Sequence, residues 1–162
     1  MEKFPSVKGL NLDYIRYPIS IIEEETDTGY TKVSMSAFAN RCGLVIDQDV
    51  TPAEFNSLIK ENNLENEWIE YRAEYITSFI KGIRNMVDIK HPGKIVSTAI
   101  FPEIEQTYNF KKQSIKVWLD NQYIDMVTPM VHFYGAEQIG EAVKRLKSMC
   151  NGAKCYTGLY TT

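Results

Sequence analysis

The feature that most constrains this chain is a change of apolar period that repeats along its length. Short runs of apolar and β-branched residues alternate with segments whose apolar residues recur every three to four positions. Residues 7–12 form the first short run, with Leu10 and Leu12 on one face and Gly9, Asn11 and Asp13 on the other. Residues 94–101, 124–133 and 153–159 form three more, and each reads as a buried strand. Between them stand helical patterns over 67–90 (Trp68, Ile76, Ile80, Ile83, Val87), 112–121 (Ile115, Trp118, Leu119) and 136–149 (Ile139, Val143, Leu146). Parallel neighbours need long crossovers, and helical crossovers between apolar strands predict a parallel sheet with the helices outside it. The predicted class is α/β, built of parallel β/α units.

The first crossover is longer than the others. Pro18 bars a helix at Tyr17, and residues 19–31, with Glu23, Glu24, Glu25 and Asp27, read as a solvated acidic loop that lacks the ligand spacing of a calcium loop. A helical excursion follows over about 34–66. Ser34 is the expected cap of a short helix that carries Met35, Phe38 and Cys42 and stops at Gly43. Thr51-Pro52-Ala53-Glu54 is a stronger start signal, with Thr51 as N-cap, Pro52 at the first helical position and Glu54 closing a capping box. His91-Pro92-Gly93 ends the long helix, and Asn151-Gly152 the last one. Residues 1–162 are expected to form one domain.

Composition narrows the function classes. With 44% hydrophobic and 24% charged side chains, the 162 residues exclude disorder, collagen and a coiled coil. A net charge of -3, without a block of five like charges, gives no footprint for nucleic acid or an anionic membrane surface. No run of 18 apolar residues exists and Met1-Glu2-Lys3-Phe4-Pro5 has no apolar stretch behind it, so neither a transmembrane helix nor a signal peptide is expected in this sequence. Cys42, Cys150 and Cys155 have no metal-binding spacing and read as buried small hydrophobes; no metal or cofactor is expected. Neither Gly-x-Gly-x-x-Gly nor Gly-x-x-x-x-Gly-Lys is present, which disfavours a nucleotide-binding open sheet and leaves part of a (β/α)8 barrel as the favoured architecture.

Specific stretches support that choice. Gly9-Leu10-Asn11-Leu12-Asp13-Tyr14-Ile15-Arg16-Tyr17-Pro18 resembles the strand-and-loop motif of the bacterial glycosyl hydrolase-like family distantly related to family 10 glycosidases. Residues 68–72, Lys90-His91-Pro92 with 97–101, and Trp118-Leu119 with 124–130 resemble later stretches of the same family, in the same order. The resemblance implies a (β/α)8 barrel of which this sequence holds strands four to seven. It implies an extracytoplasmic or cell-envelope location for the full-length bacterial protein, and a glycan as substrate. Asn11 departs from the family, which often carries His or another polar residue there. Free edges on a partial barrel would be covered by self-association, so a homo-oligomer is a further expectation.

Barrel active sites lie at the C-terminal strand ends, so parity selects the candidates. Asn11 and Asp13 share the lumen side of the first strand, and Asp13 at its mouth is the candidate nucleophile or base, with Arg16 and Tyr17 beside it to bind substrate. Asp13 as a turn residue, and Arg16 as a partner of the acidic loop, are the alternatives. Glycoside cleavage needs a second carboxyl group. Ser97, Ala99, Phe101 and Glu103 share the lumen side of the second strand, which makes Glu103 the candidate acid; a surface Glu after Pro102 is the alternative. His132 and Tyr134 end the third strand and Tyr160 flanks the fourth, as candidate sugar contacts or as core residues. Asp125 precedes its strand and should pair or cap at the bottom of the sheet. Two functions remain: a glycoside hydrolase-like protein acting on a polysaccharide or cell-envelope glycan, and a catalytically silent carbohydrate-binding barrel.

Overall fold

The computed structural model describes residues 3–18, 28–132, 135–150 and 152–159. Its centre is a parallel sheet of β1 (Gly9–Leu12), β2 (Ile95–Ile100), β3 (Met126–Val131), β4 (Lys154–Cys155) and β5 (Gly158–Leu159). The order is β1-β2-β3-β4, and β5 also pairs with β3. Register runs Asn11 to Ser97 to Met126 and Leu12 to Thr98 to Val127. Gly9 is required by close approach, because a Cβ there would lie 2.3 Å from the carbonyl oxygen of Ile95.

The fourth predicted strand is split in two, and Pro129 explains the split. The Tyr156 N–H donates to the Val127 carbonyl at 3.1 Å, so the next donor on that side of β3 falls at residue 129. Proline has no N–H, and the ladder lapses until Met130 and Val131 meet Gly158 and Leu159.

The first connection contains α1 (Lys32–Cys42), α2 (Pro52–Glu61) and α3 (Glu65–Lys90); the second contains a turn of helix α4 (Ile104–Gln106), a π-helical turn (Thr107–Lys111) and α5 (Ile115–Asp120); the third is α6 (Ala136–Met149). The capping box of α2 forms as expected: Thr51 Oγ1 accepts from the Glu54 N–H and the Glu54 carboxylate accepts from the Thr51 N–H. The start of α1 differs from expectation. Thr31, not Ser34, is its N-cap, because Thr31 Oγ1 accepts from the Ser34 N–H at 3.2 Å and the helix begins one turn earlier.

All three long connections cover one face of the sheet. Leu12, Val96, Ile100, Val127 and Val131 pack with Ile80 and Val87 of α3, Trp118 and Leu119 of α5, and Ala142 and Leu146 of α6, in one cluster. The opposite parity, Asn11, Ser97, Ala99, Met126, Thr128 and Met130, contributes nothing to that cluster. Strands taken in consecutive order through right-handed crossovers keep their helices on one side, whereas a doubly wound sheet reverses order and uses both.

A second cluster lies in the excursion: Met35, Phe38, Phe55, Ile59, Trp68 and Tyr71. Both clusters share α3. Its 26 residues span about 39 Å against about 20 Å for six-residue β2, so the helix overshoots the sheet. Since α3 leads directly into the start of β2, the overshoot is at its N-terminus, beyond the C-terminal strand ends. Trp68 and Tyr71 of that projecting half hold α1 and α2, with Trp68 ringed by Phe38, Phe55 and Tyr30 at centroid distances of 5.0 to 5.4 Å. Gly29 (φ +100°) fits the joint between this unit and the β1 loop, where a Cβ would lie 2.7 Å from the Tyr17 ring.

Candidate functional site

Because β1, β2 and β3 are parallel, Asp13, Glu103 and His132 all follow strand ends on the same edge of the sheet. Continuing the register by one residue sets Asp13 beside Ala99 and Thr128. Glu103 and His132 each lie four residues further along their own chains. They share the edge with Asp13 but not its layer.

Asp13 is exposed, and its Oδ1 accepts the Tyr14 N–H at 2.7 Å. That bond accompanies a left-handed backbone at Tyr14 (φ 55°), which turns the chain out of β1 and leaves the Tyr14 ring 75% exposed. Asn11 is exposed one layer below, and its Oδ1 accepts from Ser97 Oγ at 2.8 Å. Glu103 is half-buried at the start of α4, its carbonyl accepting the Thr107 N–H at 2.8 Å, and its carboxylate makes no hydrogen bond or ion pair among the described residues. His132 is exposed, with its N–H on the Met130 carbonyl at 3.1 Å. Tyr134 and Tyr160 lie outside the described residues.

Arg16 does not pair with Asp13. Its guanidinium carbon lies 4.3 Å from the centroid of Tyr14 and 4.9 Å from that of Phe101, and one of its Nη atoms is buried without a hydrogen-bond partner. Lys111, the last residue of the π turn, brings its Nζ to 4.2 Å from the same Phe101 centroid. Removal from water, and then the nearby Arg16 charge, hold the Lys111 ammonium below its ordinary value. The Tyr17 ring sits 5.9 Å from the Arg72 guanidinium carbon and against Gly29.

Two hydrogen bonds fix these side chains relative to one another. The Tyr17 N–H donates to the Lys111 carbonyl at 3.1 Å, and Gln113 Nε2 donates to the Ile15 carbonyl at 2.9 Å. The loop after β1 and the π turn after β2 are thus laced together at the edge of the sheet. Tyr14 and Lys111 were not singled out by parity or spacing. A left-handed tyrosine and a lysine brought to an aromatic ring ten residues away have no short-range sequence signature. Phe101 alone was foreshadowed, by sharing parity with Ser97 and Ala99 on the strand face away from the helices.

The opposite edge is closed by pairing. Asp125 Oδ2 accepts from Arg84 Nη1 and from the Val96 N–H, each at 2.8 Å, and Arg84 also reaches Asp88 at 2.6 Å, which is the structural role expected of Asp125. Among the described residues no group of three or more His, Cys, Asp or Glu is placed to hold a metal, and no helix is long and apolar enough to cross a membrane. Of the cysteines only Cys150 is fully buried; Cys42 and Cys155 are half-buried, and all three are free.

Searches of family models, of curated proteins and of solved structures return no match to this chain.

Proposed function

We propose that this chain belongs to a glycoside hydrolase-like (β/α)8 barrel acting on a polysaccharide or cell-envelope glycan, with Asp13 as nucleophile or base and Glu103 as the acid. The observation that carries the proposal is the one-sided parallel sheet in consecutive strand order, with Asp13 and Glu103 following adjacent strands at its C-terminal edge. That is where barrel enzymes carry their chemistry. The Asp13 to Pro18 resemblance supplies the substrate class, and the exposed Tyr14 ring beside Asp13 suits stacking on a sugar face.

Reducing-end release from a panel of plant, fungal and bacterial wall polysaccharides tests the proposal. Asp13→Asn is expected to abolish release by about 10²-fold or more while melting normally, because an amide neither attacks nor accepts a proton. Release that persists in the variant overturns the role of Asp13. The offset between Asp13 and Glu103 favours one second reading, a binding barrel without catalysis. It predicts glycan retention by the wild type, with no release and no change in Asp13→Asn.

A further inference from the structure

We propose that Arg16 and Lys111 form an anion subsite at the mouth of the sheet, which takes an acidic substituent, carboxylate or sulfate, on the glycan; this rests on the glycan reading above. The two cations lie 4.9 and 4.2 Å from one phenylalanine centroid, Phe101. Aromatic contact is a weak partner for a full charge. Among the described residues no carboxylate forms an ion pair with Arg16 or Lys111, and, unlike exposed lysines that are also unpaired, these two meet on one aromatic ring. One Arg16 Nη is buried with no acceptor among the described residues, which do not include the acidic stretch 19–27. Among the described residues, the charge that acts on Lys111 is that of Arg16.

Two like charges gathered on one ring are unfavourable unless something supplies the counter-charge. The surrounding backbone holds them there regardless, through the Tyr17 to Lys111 and Gln113 to Ile15 hydrogen bonds. The device that delivers Lys111 is a π-helical turn, Thr107–Lys111, closed by a left-handed Lys112 (φ 61°). Such turns are rare and are frequently found at functional sites. A guanidinium covered by rings keeps its planar N–H edges for donation, and that fork matches carboxylate and sulfate oxygens. Asp13, at the other end of the same short loop, then faces the sugar ring while Arg16 and Lys111 take its charged substituent.

Calorimetric titration with trigalacturonate, its trimethyl ester, a sulfated trisaccharide of neutral backbone, and sodium sulfate tests the subsite. The wild type is expected to bind trigalacturonate at least about tenfold more tightly than the uncharged ester. Lys111→Gln and Arg16→Gln, checked for unchanged melting, should each erase that preference, and Lys111→Gln should leave affinity for the ester as it was. The sulfated sugar separates the two sources of charge, since binding of only one of the acidic probes assigns the substituent. Equal affinity for the acid and the ester, or a preference that survives both variants, overturns the subsite and spares the glycan reading. Binding of sulfate that is lost in Lys111→Gln, without binding of any sugar, keeps the anion subsite and overturns the glycan reading. Absence of binding by all four probes overturns the proposal.

Discussion

Removing the Asp125 carboxylate should destabilise the fold far more than removing the Asp88 carboxylate, although both pair with Arg84. The two ion pairs look alike, at 2.8 and 2.6 Å, and both acids are about half exposed. The difference lies in the second bond of Asp125, which accepts the main-chain N–H of fully buried Val96 at the start of β2. In Asp125→Ala that donor loses its partner inside the core, at a cost of about 1–3 kcal/mol. The half-exposed ion pair adds at most about 1 kcal/mol. The expected loss is about 1–4 kcal/mol. Asp88→Ala removes only a helical i,i+4 pair, worth about 0.3–0.5 kcal/mol. Urea denaturation followed by circular dichroism measures both, with an unchanged slope confirming that stability alone has moved. Losses of similar size in the two variants, or less than about 1 kcal/mol for Asp125→Ala, would refute the accounting for the Val96 N–H.

Gly29→Ala should cost about 1–3 kcal/mol, through its left-handed backbone and the clash with Tyr17, and chymotrypsin should then cut within residues 34–66 sooner than in the wild type. Glu54 is held below its ordinary value of 4.5 by the Thr51 N–H and hydroxyl, and Glu74 likewise by Arg41. Both contributions are complete above pH 4.5 and vanish as the pH falls through the lowered values, so melting temperature should drop less steeply below pH 4.5 in Glu54→Gln than in the wild type. Burial, with a hydrogen bond to Cys155, pushes the Cys150 thiol up to about 12, so iodoacetamide at pH 8 should label Cys42 first, and equal labelling would contradict the burial of Cys150.

Most of the fold was legible because each β/α unit repeats one simple contrast. Residues 136–149 were bounded correctly by Gly135 before and Gly152 after, and the α2 box was complete in four residues. What the sequence withheld depends on contacts between distant segments. The split of the last strand is imposed by Pro129 in the strand beside it, and nothing within 153–159 announces it. The start of α1 turned on which of two hydroxyls, three residues apart, faces the helix end. The π turn has no apolar period of its own, and it is the element that brings Lys111 to Phe101. Parity along the strand placed Asn11 and Asp13 on the face away from the helices because strand geometry is local, but it does not extend to Glu103, which follows Pro102 at the start of α4. It could not say that Arg16 turns away from Asp13 onto two rings, since that depends on where β2 ends.

The two edges of the sheet are built on opposite electrostatic principles, and this contrast ties the fold to the proposed site. At the N-terminal edge Arg84 is nearly enclosed, and its charge meets two carboxylates and a carbonyl, although its Nε has no partner among the described residues. At the C-terminal edge, among the described residues, Asp13 has one hydrogen bond to its neighbour, Glu103 has no charged partner, and Arg16 and Lys111 share a ring rather than an acid. Folding alone gains nothing from leaving four charges so poorly matched within two short loops, when Arg41 and Glu74 on the nearby helices pair with two hydrogen bonds. A ligand that brings acceptors to the cations and donors to the carboxylates would stabilise the folded state by binding it. A charged sugar, with hydroxyl donors around its ring and oxygen acceptors on its substituent, is the class of ligand that the proposed carboxylate pair and the proposed anion subsite together call for.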